Sequence, residues 1–89
     1  MYSQVHGNRV FYKTEPKPGN RYKQIVVVEK QKYELRIFEG EVLQREPIFD
    51  VNNPDAEVYL HDELRTALAD ARKKSEQSIA EGWIPHPAA

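Results

Sequence analysis

The chain changes its period midway. From Tyr22 to Val51 apolar residues alternate with polar ones, and from His61 to Glu81 they recur every three or four positions. Alternation places successive side chains on opposite faces of a strand, whereas the longer period gathers them on one side of a helix. Strands crowded before one long, one-sided helix leave few ways to bury both apolar surfaces. The arrangement that does so is an α+β domain: a four-stranded antiparallel, meander-like sheet followed by one C-terminal amphipathic helix packed on one face. With 89 residues, 39% of them hydrophobic, the chain supports a single domain with one core. A domain of this size buries roughly 60–65% of its unfolded surface.

The first strand is expected at 9–15, where Phe11 points away from Val10 and Tyr12. Pro16 and Pro18, which lack N–H donors, and Gly19 and Asn20, which tolerate positive φ, then make a loop. A second strand at 22–28 contains Ile25, Val26, Val27 and Val28, a β-branched run that suits a central strand covered on both sides. The third, at 33–38, puts Tyr33, Leu35 and Ile37 on the core face and Glu34, Arg36 and Phe38 on the other. Glu39, Gly40 and Glu41 read as a hairpin turn into a fourth strand at 42–51, which Pro47 confines to a sheet edge or a bulge.

Val58 and Tyr59 favour an extended approach to a helix over 61–81, with Asp62 and Glu63 suited to its positive N-terminal end. Leu60, Leu64, Ala67, Leu68, Ala71, Ser75 and Ile79 form its apolar stripe, thin where the residues are small. Gly82 reads as a left-handed C-terminal cap, Trp83 as a residue folded back beneath the helix end, and Pro85 as a stop. An exposed Trp83 with Ile84 and His86 would instead be a docking tip. Residues 1–7 and 84–89 are expected to be loose.

Several chemistries lose their usual carriers. The chain has no cysteine, which removes disulfides, thiolate nucleophiles and cysteine zinc sites and suits a reducing, cytoplasmic setting. His6, His61 and His86 make no paired ligand spacing, Ser3, Ser75 and Ser78 sit in no nucleophile elbow, and no glycine-rich phosphate loop is present. No enzyme, metal or cofactor is therefore expected. The longest apolar run, Ile25 to Val28, is far too short to span a bilayer, so no membrane association is expected either.

Net charge is −1, but residues 1–36 hold eight Lys/Arg against three Glu and residues 37–89 hold five against eleven acidic groups. One helix about 10–12 Å across covers only part of a sheet whose strands lie about 4.8 Å apart. The opposite face is expected to stay open and to carry some of Phe11, Val26, Val28 and Phe38 with Arg9, Lys13, Arg36 and Arg45. Lys17, Arg21 and Lys23 flank it in or beside the basic loop. Arg9, Phe11, Lys13, Lys17, Arg21, Lys23, Arg36, Phe38 and Arg45 thus make the candidate binding surface. Two functions fit it. The first is a small non-catalytic interaction domain that joins a second copy, as a homodimer, or another protein through the uncovered sheet face. The alternative is single-stranded nucleic acid, with bases stacked on aromatics and phosphates met by cations. A pI near 6.3 and the lack of a ribonucleoprotein octapeptide, a GxxG clamp or a zinc knuckle put protein association first.

Overall fold

The computed structural model describes residues 4–14, 20–42 and 54–85. In chain order these form β1 (Gln4–Thr14), β2 (Asn20–Glu29), β3 (Tyr33–Val42), β4 (Glu57–His61), α1 (Leu64–Ala80) and β5 (Ile84–Pro85). The strands make one sheet in the order β4-β3-β2-β1-β5, antiparallel at every join. The fold is thus the expected α+β meander with one C-terminal helix, and a fifth, two-residue strand is added on the outer edge of β1.

The main departures from the expected boundaries each have a reason in pairing. β1 starts at Gln4 because β2 is long enough to pair with it as far as Glu29; an extra residue, His6, bulges between Val5 and Gly7. Gly40 lies inside β3, opposite Tyr22, and not in a hairpin turn. A Cβ on Gly40 would fall 2.9 Å from the Phe38 ring, so glycine marks a close approach here and not a reversal. Val42 accordingly ends β3, and the rest of the strand expected at 42–51 lies outside the described residues. The helix starts at Leu64 because His61 completes β4 opposite Tyr33. At the C-terminal end Ile84 and Pro85 are not loose but pair with Tyr12 and Phe11.

Phe11, Ile25, Val27, Leu35, Ala67 and Trp83 form the core, with Tyr33, Ile37, Leu64 and Ala71 packed around it. Ile25, Val26, Val27 and Val28 are all fully buried, as a central strand requires. The helix buries only small residues, Ala67, Ser75 and Ser78, which lets it sit close to the sheet. The two hydroxyls donate to the Ala71 and Lys74 carbonyls at 2.8 Å each, so neither enters the interior without a partner. Leu68 and Ile79, expected in the stripe, are exposed. The buried line runs through Ala67, Ser75 and Ser78, and Trp83 supplies the bulk that these residues lack.

Trp83 is delivered by the helix terminus. Trp83 N–H donates to the Ser78 carbonyl at 3.0 Å and Gly82 N–H to the Ile79 carbonyl at 3.1 Å, the paired bonds of a Schellman cap. Gly82 adopts φ 99°, a conformation that costs an L-residue roughly 1–2 kcal/mol. A Cβ there would meet Lys13 only at 3.5 Å, so the cost of a side chain is conformational and not steric. Gly82→Ala is expected to lower unfolding free energy by about 1–2 kcal/mol in urea titration; an unchanged midpoint would show that the cap does not hold the turn.

Candidate interaction surface

Antiparallel partners share a side of the sheet, so the β1–β2 register decides where the basic residues point. Arg9 pairs with Ile25, Phe11 with Lys23 and Lys13 with Arg21. Ile25 and Phe11 belong to the core beneath α1. Arg9, Phe11, Lys13, Arg21 and Lys23 therefore lie on the helix side. Arg36 and Phe38, paired with Val26 and Gln24, lie on the other. Lys17 and Arg45 fall outside the described residues. The structure does not bring the nine expected residues together on one open face.

What it does with them is specific. Phe11 is buried and is core, not platform. The ammonium groups of Lys13 and Lys23 lie 4.9 and 5.7 Å from the Trp83 ring centroid, within reach of its π face. Lys23 also meets Glu39 at 3.6 Å. Arg36 is buried and donates to Glu34 at 2.8 Å. Around it on the side away from α1, Val26 and Val28 are buried and Gln24 donates to Asn8 at 3.1 Å. The centre of that face is closed.

Exposed apolar surface collects instead at β4. Val58, Tyr59 and Leu60 are 43, 40 and 64% exposed, and β4 is an edge strand with a neighbour on one side only among the described elements. Val58 and Leu60, paired with Arg36 and Glu34, project away from the helix. Glu57, Tyr59 and His61 project toward it, and the helix holds the last two. The Tyr59 hydroxyl donates to Glu57 Oε2 at 3.0 Å, and this bond, with the carboxylate charge behind it, raises the phenol above its ordinary pKa. Lys74 Nζ stands 4.5 Å from the Tyr59 ring centroid and 3.6 Å from Asp70 Oδ1. Asp70 Oδ2 in turn lies 3.1 Å from His61 Nε2. An outward row of apolar side chains is thus backed by a tied inward row.

The two edges of the sheet are built differently. β5 is two residues long and ends in Pro85, which has no N–H to offer. Beside it β1 carries the His6 bulge, with the imidazole 2.8 Å from Glu29, and the cations Arg9 and Lys13. Bulges, prolines and lysines are the usual means of keeping an edge from pairing. β4 has no proline, no lysine and no bulge.

The charge asymmetry of the sequence becomes a gradient across the helix side. Cations occupy β1 and β2, and a groove of about 380 Å³ between α1 and the β3–β4 pair is lined by Glu39, Asp55, Glu57 and Glu81 with Lys23 and Lys74. Among the described residues no group of three His, Asp or Glu side chains is placed to hold a metal ion. No described helix is long and apolar enough to cross a membrane.

Sequence reasoning missed Val58, Tyr59 and Leu60 as surface residues of interest. Val58 and Tyr59 read as an extended approach, but the helical spacing places Leu60 in the apolar stripe of the helix, whereas it lies in β4 and is exposed; two β-favouring residues do not say that their strand stands at an edge. The chain matches no family model, and neither the curated proteins nor the solved structures contain a match to it.

Proposed function

We propose that this chain is a non-catalytic interaction domain that docks protein at the β4 end of its sheet. The observation that carries this reading is an edge strand whose side chains Val58, Tyr59 and Leu60 are all exposed, opposite an edge that is protected. An extended partner segment would add main-chain hydrogen bonds along β4, and Val58 and Leu60 would give it apolar contacts. Relative to the sequence expectation, the docking surface moves from the middle of the sheet face to its margin. Single-stranded nucleic acid has weaker support: Arg9, Lys13, Arg21 and Lys23 share a side, but the aromatic residues beside them, Phe11 and Trp83, are buried and offer no ring for a base to stack on.

Immobilised protein should retain a protein, another copy included, that the Leu60→Lys variant does not. Ile84→Lys, the same apolar-to-cationic change of an exposed residue at the other edge, should behave as the wild type. Retention that survives Leu60→Lys would overturn the reading.

A further inference from the structure

We infer that the occupant of the β4 edge is β4 of a second copy, paired antiparallel about a two-fold axis through Tyr59; this inference rests on the docking reading above. The strand is Glu57-Val58-Tyr59-Leu60-His61. Run against itself about its centre, it sets Glu57 opposite His61 of the other copy, Val58 opposite Leu60, and Tyr59 opposite Tyr59. Acid meets base at both ends, and apolar meets apolar between them. A two-fold interface must be self-complementary in this sense, because every contact of residue i with j recurs as j with i.

Other registers fit worse. Moving the axis to Leu60 puts Val58 opposite Asp62 and Glu57 opposite Glu63, and like charges directly opposed destabilise a pair. Moving it to Val58 leaves only Glu57 to Tyr59 of the strand in overlap. An axis between two residues would oppose a helix-side residue to one on the far side, which the pleat forbids. About Tyr59 the sides match: the Glu57, Tyr59 and His61 row stays beneath the helices of both copies, and Val58 and Leu60 form one apolar strip on the reverse. The lysine over each Tyr59 ring does not approach the axis uncompensated, since Asp70 lies 3.6 Å from Lys74. The product is one continuous sheet in which the exposed β4 edge no longer exists.

The chain has no cysteine, so introduced thiols report the register directly. Opposed Cα atoms in an antiparallel pair are about 4.5–5.5 Å apart, within disulfide range. Tyr59→Cys is expected to give a disulfide-linked dimer on mild oxidation. Val58→Cys and Leu60→Cys are each expected to stay unlinked alone and to cross-link when mixed, which keeps the test alive if loss of the Tyr59 contacts unfolds its variant. Wild-type protein should sediment as a concentration-dependent monomer–dimer mixture, weakened at least about tenfold by Leu60→Lys. A dimer with another cross-linking pattern would overturn the register. Wild-type protein that stays monomeric at millimolar concentration would overturn the second copy as occupant. In that case, Leu60-dependent retention of a different protein would leave the docking reading standing, and its loss would remove both.

Discussion

Trp83→Ala is expected to remove about 3–5 kcal/mol of stability. A chain of 89 residues, at about 0.05–0.15 kcal/mol per residue, has only about 4–13 kcal/mol in all. The side chain is 5% exposed and sits in one cluster with Phe11, Ile25, Val27, Leu35 and Ala67. The residues that α1 buries completely, Ala67, Ser75 and Ser78, are too short to close the space it would vacate. The Schellman bonds from Gly82 and Trp83 hold the backbone in place around the missing ring, which limits collapse of the cavity. Lys13 and Lys23 would also lose the ring face on which they rest. Because the variant has no tryptophan, urea unfolding is followed by far-ultraviolet circular dichroism. A loss below about 1 kcal/mol, the scale of a surface change, would mean that the ring does not close the core.

Phe11→Ala is expected to cost a similar amount, about 3–5 kcal/mol, and Phe38→Ala distinctly less. The contrast tests the register of the sheet. Phe11 is 1% exposed and packs under the helix, whereas Phe38 is half-buried on the opposite side, against Gly40. A β1 register slipped by one residue would exchange Phe11 for Val10 or Tyr12 in the core and erase the excess cost of Phe11→Ala. The two large losses should not add in the double variant, since Phe11 and Trp83 share one cluster and each empties space beside the other. Thermal unfolding of the wild type, the three single variants and the double variant measures all of this.

The parts of the fold that were legible in the sequence are those in which one residue type admits one environment. Four β-branched residues from Ile25 to Val28 belong in a central strand, and they are there. Tyr33, Leu35 and Ile37 alternate onto the core side as read. Gly82, Trp83 and Pro85 spell out a capped helix end, and the tryptophan folds under it. Legibility failed where a pattern had two solutions. β1 carries an aromatic on each side, so its alternation did not say whether Phe11 or Tyr12 faces the helix; the pairing with β2 decides, and that is a long-range fact. Gly40 between two glutamates looks like a turn, but β2 is long enough to carry its partner past it. The binding surface inherited the first of these ambiguities. The sequence sets its cations among Phe11 and Phe38, whereas Lys13 and Lys23 pack against Trp83 from the helix side and do not stand beside Phe38. The edge status of β4 depends on strand order, on which the triplet Val58-Tyr59-Leu60 is silent.

The pairing of Ile84 and Pro85 with Tyr12 and Phe11 bears on how the molecule assembles. The meander can form from contacts close in sequence, and α1 can coil on its own residues, but β5 must find a strand laid down at the far end of the described chain. Such closures are slow relative to hairpins and helices, because chain entropy must be lost before the contact forms. The one tryptophan sits at that seam. Its emission therefore clocks the final closing of the sheet, while circular dichroism clocks the local structure that precedes it, and a lag between the two signals would be the signature of a fold that is sewn shut last.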